Sequence, residues 1–429
     1  MTKPRLGLLA IAFAVSTASL TGQTPSPTPS RVRVTDSIPS VRDIRTPVRT
    51  PTPTAPMPRP SYTPMARAPQ YAQPSMASNL TIKGGLSFAQ IKAKIAEAKR
   101  FMTTRPLTIA SVASTLPTDG TSQFTTVRVA FYDPRSKKID YVVLAKDDFL
   151  RKDLLPTTTL SANGTLVSTR TIRANGVNTP ITITDMQGTA QVPLLVQYPV
   201  EREGRYIETA YYMSTHPGLV TPEVVAAGQM YVRNVIDIAR ANLGAIGMPI
   251  QPRIADWAER LATVEHVDHL RFRTEFHPNI YNDIFTLYAL NEGQTYRYSV
   301  SSAGAGGMVQ MIPWTYRMIR SRYPSANLMP DFVEGMRNHV NASQAMLLYM
   351  QMTWNDLASN PTIANAITTG IAREEHLMAA GYNSNPARLP GYVSRGGAAW
   401  ATLIPRETKI YLQIWDSLER SVRLLPRTN

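Results

Sequence analysis

The chain predicts a mainly α-helical protein: a helical C-terminal half follows a small β-rich stretch, and both follow a disordered proline-rich leader. Three observations carry this. Thirteen of the 34 prolines fall between Pro25 and Pro74. Within residues 121–212 β-branched, period-two runs alternate with Asn-Gly turns. From Thr221 onward, apolar residues recur at intervals of three and four.

Residues 1–20 place Lys3 and Arg5 ahead of an apolar run from Leu6 to Val15, with the small residues Ser16, Thr17 and Ala18 after it. This has the form of a secretory signal, and the run is shorter than the ~20 apolar residues a membrane span needs. Cleaved, it gives a soluble periplasmic protein. Uncleaved, it gives one anchored at the inner membrane and making membrane contact through its N-terminus. Residues 21–80 are an extended basic linker, because proline removes donors and few large apolar residues are present to bury. The first hundred residues hold 14 Lys or Arg against 3 Asp or Glu, or +11 of the formal +15. The basic character therefore belongs mostly to the leader, which suits anionic surfaces, whether wall polymers, lipid headgroups or nucleic acid. No motif for sequence-specific nucleic-acid recognition accompanies it. The chain has no cysteine, which excludes disulfides, thiolate metal sites, a cysteine nucleophile and a lipidated N-terminal cysteine.

Residues 81–120 comprise a short helix and a connector, with Phe88, Ile91, Ile95 and Met102 at about helical period and lysines on another face. Residues 121–212 open with Val127, Val129 and Phe131, turn at Asp133-Pro134 and resume at Tyr141-Val142-Val143-Leu144, which predicts a hairpin. Asn163-Gly164 and Asn175-Gly176 mark further turns. This β-rich region has no histidine and only scattered acids, so its expected role is packing, partner binding or substrate positioning.

Residues 221–429 are predicted helical. Thr221-Pro222-Glu223 is a helix start with Pro at the first position. IADWAERLATVEHVDHLRF predicts a second helix carrying Glu265, His266 and His269. These are expected to be helix-surface or interhelical polar groups, since no third ligand of clear spacing makes them a metal site; no metal or cofactor is implied. NIYNDIFTLYALNEG spaces Ile280, Ile284, Leu287 and Leu290 for a buried helix ending near Gly293, which leaves Glu292 at its terminus. An apolar, aromatic setting at a helix C-terminus would favour the neutral carboxylic acid, the form general acid catalysis needs.

Beyond Glu292 the chain reads SSAGAGGMVQMIP. Small residues permit close approach, and Gln310 stands among Met308, Met311 and Ile312. The stretch resembles the soluble-type lytic transglycosylases, relatives of goose-type lysozyme. Their pattern begins Glu-Ser and continues Ser-x-x-Gly-Ala-x-Gly-Leu-Met-Gln-x-Met-Pro. Here Glu292 precedes Ser301 by nine residues, followed by Gly304-Ala305, Gly307, Gln310 and Pro313. Gly293, Met308, Val309 and Ile312 depart from the pattern; the last three keep its apolar character, whereas Gly293 lacks the family's hydroxyl beside the acid. MAAGYN resembles the family's Ala-Ala-Tyr-Asn segment through Ala380, Tyr382 and Asn383, and IPRETKIY its Pro-x-Glu-Thr-x-x-Tyr segment through Pro405, Glu407, Thr408 and Tyr411.

The resemblance covers about residues 276–416 and implies a lysozyme-like catalytic core acting on peptidoglycan glycan strands. It implies Glu292 as general acid and then base, cutting the β-1,4 bond after N-acetylmuramic acid and leaving 1,6-anhydro ends. Ser301 and Gln310 would contact acid or sugar, Met308 and Ile312 would floor the groove, and Tyr382 would point its hydroxyl toward the reacting centre with Asn383 fixing its loop. Glu407 is either near substrate or a helix-start anchor, and Tyr411 packs with a groove contact. Two alternatives stay open: a hydrolysing muramidase with water held by Glu407 or Asp331, and a peptidoglycan-binding scaffold without turnover in an envelope-spanning secretion, conjugation or phage-related assembly.

Overall fold

The computed structural model describes residues 85–107, 126–202, 205–301 and 303–428. The expected signal, the proline-rich leader and most of the connector lie outside them. Among the described residues no helix is long and apolar enough to cross a membrane.

Helix α1 (Phe88–Thr103) begins with a capping box: Ser87 accepts from the Gln90 amide while Gln90 reaches back to the Ser87 amide. It buries Ile91, Ile95, Ala98 and Met102, the face its period predicts. The hairpin follows as β1 (Thr126–Asp133) and β2 (Lys138–Ala145), antiparallel throughout, with Asp133 accepting the amides of Arg135 and Ser136 in the turn. A short helix α2 (Lys146–Phe149) leads to β3 (Thr157–Leu160), β4 (Leu166–Thr171) and β5 (Ile181–Asp185), an antiparallel three-stranded sheet. The long β6 (Val192–Arg202) and β7 (Arg205–Tyr212) complete a four-stranded antiparallel sheet of order β2-β1-β6-β7.

The chain is helical from α3 (Pro222–Ala245), whose cap is the predicted Thr221, accepting the Val224 amide. The stretch predicted as one second helix is two. Helix α4 (Pro252–Val264) stops at Glu265, and α5 (His269–Thr274) starts afresh where the Asp268 carboxylate accepts the amides of Leu270 and Arg271. A carboxylate that caps a new N-terminus competes with continuation of the old helix, so His266 and His269 do not share a helical face. Helix α6 (His277–Leu290) ends three residues before Gly293, with Asn291 as its cap. The remaining helices are α7 (Pro313–Arg322), α8 (Phe332–Arg337), α9 (His339–Ala358), α10 (Pro361–Thr368), α11 (Glu374–Asn383), α12 (Leu389–Gly396) and α13 (Arg406–Ser421).

Strands and helices share one hydrophobic core: Phe131, Val196 and Tyr212 of the sheet join Val232, Phe285, Met346 and Trp415 of the helices. A second cluster seats α1 against Ala130, Leu194 and Leu195 of the sheet and against Ala289 and Leu290 at the end of α6. Helix α3 crosses α6 at Gly228, where a methyl group would overlap the backbone carbonyl of Phe285.

Candidate active site

The end of α6 is docked by its cap. The Asn291 amide pairs both ways with Met213, accepting its N–H at 3.0 Å and donating to its carbonyl at 2.9 Å. The loop then turns at Gly293, φ +71°, a left-handed conformation in which glycine is unstrained. The Gly293 N–H donates to the Tyr231 hydroxyl at 2.7 Å. On the other side, His339 lies 2.7 Å from the Tyr231 hydroxyl through Nδ1 and 2.7 Å from the Thr295 carbonyl through Nε2. A carbonyl only accepts, so Nε2 carries the proton and Nδ1 accepts from Tyr231. Burial pushes His339 down to about 4, which keeps the ring neutral and this direction fixed. Tyr231 and His339 thus clasp the backbone on both sides of the turn that follows Glu292.

Glu292 itself points to solvent, its side chain 52% exposed, and Lys92 of α1 forms an ion pair with it at 2.7 Å. The poorly solvated aromatic setting expected for this carboxylate is absent. Helix α6 closes at Leu290, Asn291 takes the buried cap position, and the chain leaves the core only at Glu292, which is exposed.

The motif loop is built from turns. Ser301 closes one, its Oγ accepting the Ala305 amide at 3.0 Å, and Gly306 bridges to both Val300 and Met311. Gln310 sits at φ +46°, strained for a residue with a side chain, and donates through Nε2 to the Gly307 carbonyl at 2.9 Å. Its Oε1 is buried without a partner. Met308 is fully buried, so it supports the loop from below, whereas Ile312 is exposed. His266 lies flat on Tyr296, ring centroids 3.4 Å apart, and donates from Nε2 to the Met308 carbonyl at 2.9 Å. Burial drives it down to about 3, so it is a neutral core residue. Among the described residues no group of histidines and acids could hold a metal ion.

The two later motifs meet elsewhere. Tyr382 donates its hydroxyl to the Val309 carbonyl at 2.7 Å, fastening α11 to the underside of the loop; the expected direction, toward the acid, is not the one taken. Asn383 keeps an unpartnered buried Oδ1 at the end of α11. Tyr411 of α13 donates at 2.6 Å to Glu265, the residue that closes α4. Glu265 is buried, and desolvation raises it to about 8; the Tyr411 hydrogen bond lowers it, and repulsion from Glu407 raises it again. Glu407, in the first turn of α13, is also raised by burial. Asp331 caps α8 by accepting the Glu334 amide. The buried, neutral carboxyl at a helix C-terminus that the sequence predicts at Glu292 is therefore found at Glu265.

No protein-family model, no curated protein and no solved structure matches the chain. The chemistry rests on the arrangement of these residues alone.

Two carboxylates thus divide what general acid catalysis requires. Glu292 is accessible, stands at the head of the glycine-rich loop and is followed by a clasped backbone. Glu265 holds a proton near neutrality but lies 7% exposed behind the loop. Sequence alone did not mark Lys92, Tyr231 or His339 as partners of the Glu292 turn. Their only signals were a basic face on α1 and aromatic residues on otherwise ordinary helices.

Proposed function

We propose that this protein is a peptidoglycan lytic transglycosylase with a lysozyme-like core over about residues 276–416, working in the cell envelope. The observation that carries the reading is the Glu292 turn: an accessible carboxylate on a backbone held by Tyr231 and His339, nine residues before Ser301 and at the head of a loop whose Gln310 keeps a free acceptor.

In this reading the carboxylic acid of Glu292 gives its proton to the glycosidic oxygen as the bond from the muramic C1 breaks. The substrate's own N-acetyl carbonyl closes on C1 and spreads the positive charge. The Glu292 carboxylate then takes the proton of the muramic 6-hydroxyl, whose oxygen attacks C1, displaces the N-acetyl oxygen and forms the 1,6-anhydro ring. The acid is regenerated, no water is consumed and no second catalytic carboxylate is needed. Lys92 must leave Glu292, and the carboxylate must take up a proton from solvent, before the first step. An exposed ion pair of this kind is worth only about 0–1 kcal/mol, small enough for a bound sugar to displace.

A second reading is favoured by two contacts: Lys92 occupies Glu292, and the Tyr382 hydroxyl is spent on Val309. Both suit a scaffold that binds glycan at the same loop without cutting it. Incubation of intact sacculi with wild type and with Glu292→Gln separates the readings. The enzyme releases anhydro-ended muropeptides and the variant releases almost none. Binding without release by wild type supports the scaffold, and reducing ends in place of anhydro ends support hydrolysis.

A further inference from the structure

The three-stranded sheet is apolar on both faces. An antiparallel sheet with one side in water alternates apolar and polar residues, and the inward Val167, Ile181 and Ile183 are buried as that alternation requires. Outward, Leu160 of β3 and Leu166 of β4 pair directly across the strands, 61% and 41% exposed. The row continues on both sides. The bridge between Val142 and Ser161 sets exposed Val143 of β2 opposite Leu160, and exposed Met186, in the turn just past β5, comes next after Leu166. The apolar row therefore runs across neighbouring strands for about 15 Å at the usual strand spacing. Helix α1 covers this side of β2 as far as Tyr141, which Phe101 meets edge-on, and leaves Val143 open. Leu154, held at φ +60°, and Leu155 are exposed just before β3 and extend the apolar surface along it. Between them and the row, Thr158, Ser168 and Thr184 carry only hydroxyls. Two charges flank this face. Arg170 on β4 and Asp147, just past β2, are both exposed, and neither has an ion pair among the described residues.

We propose that this face is the interface of a two-fold dimer, with a second copy of the chain as its occupant. An occupant must bring an apolar strip together with an anion for Arg170 and a cation for Asp147, and the face supplies all three itself. A two-fold axis along the strands, between β3 and β4, lays Leu160 on the partner's Leu166 and brings the partner's Arg170 within about one strand spacing of Asp147. Two such faces, each about 20 Å long and 15 Å wide, bury on the order of 1,000 Å² together, the lower end of the range for specific interfaces. The basic leader is the poorer occupant, because its excess of Lys and Arg would meet Arg170 with like charge.

Sedimentation velocity of the purified chain, over concentrations from about 1 to 100 µM, covers the affinity an interface of this size supports. Wild type should pass from monomer to dimer in that range. Leu160→Asp alters an exposed side chain, so it should keep the wild-type circular dichroism and melting temperature. It should weaken dimerisation about a hundredfold or more, because the two-fold axis buries the new charge twice. Arg170→Glu and Asp147→Arg should each weaken it about threefold, and the two together should restore it. The proposal is overturned by a wild type that is monomeric throughout, by a Leu160→Asp variant that dimerises like wild type, or by a double variant no tighter than the single ones. Monomeric wild type that sediments with phosphatidylglycerol–phosphatidylethanolamine vesicles, where Leu160→Asp does not, overturns it in favour of a lipid surface. Dimerisation is measured without glycan, so it stands or falls separately from the transglycosylase reading.

Discussion

Helices α4 and α6 both end beside a glutamate, and the two ends are electrostatic opposites. Glu265 closes α4 in the core, neutral near physiological pH, with Tyr411 donating to it at 2.6 Å and Glu407 repelling it. Glu292 follows α6 by two residues, exposed and paired with Lys92. Both lie near a helix C-terminus, a weak effect that falls off within a turn, whereas burial governs the Glu265 proton. Cover, more than place in the helix, is what makes Glu265 an acid at rest.

The largest effect expected of any change to this contrast is on the buried side. Glu265→Ala leaves the Tyr411 hydroxyl unpaired in the core and opens a cavity, and should cost roughly 2–4 kcal/mol in chemical denaturation. Glu265→Gln keeps an acceptor for Tyr411 and should cost far less. The pH dependence carries the same contrast. The folded pKa of Glu265, about 8, lies above its unfolded value, so the folded state holds an extra proton between roughly pH 4.5 and 8 and stability falls as pH rises through that window. The slope is at most about 1.4 kcal/mol per pH unit, and Glu265→Gln should remove it. The buried histidines act in the other sense. His266 and His339 titrate lower in the fold than unfolded, so their contribution is complete above about pH 6.5 and is lost as pH falls toward 4 and 3.

Next in size is the clasp on the exposed side. Tyr231→Phe strands the buried His339 Nδ1 and frees the Gly293 N–H, and should cost about 1–2 kcal/mol. It should also lower kcat on glycan more than it changes KM, because the carboxylate is then held less firmly. The smallest effect is on the ion pair: Lys92→Ala should change stability by no more than about 0.5 kcal/mol. A larger loss would mean that Lys92 does more for α1 than cover Glu292.

Local pattern made much of this legible. Helix α1 follows from Phe88, Ile91, Ile95 and Met102, the hairpin from period two around Asp133-Pro134, and α3 from Thr221-Pro222. These are decided within a few residues of chain. The break between α4 and α5 was also written locally, in Asp268, but the apolar spacing across it outweighed a capping signal. Environments were not legible. The partner that sits on Glu265 is 146 residues away and the partner on Glu292 is 200 residues away, so no window of sequence shows that one is covered and the other open. Spacing could align Tyr382 with a motif, but not show that its hydroxyl is used against Val309. The β-rich region read as an accessory; in the fold it shares its core with the helices, and Met213, the residue after β7, docks the end of α6.

In the proposed reading the exposed glutamate works and the buried one supports. Chromatography of muropeptides released from purified sacculi by wild type, Glu292→Gln and Glu265→Gln tests it most directly. Anhydro-ended products from wild type, a loss of about a hundredfold or more in Glu292→Gln and near-normal release by folded Glu265→Gln are the expected result. Unchanged release by Glu292→Gln, or loss confined to Glu265→Gln, would contradict it.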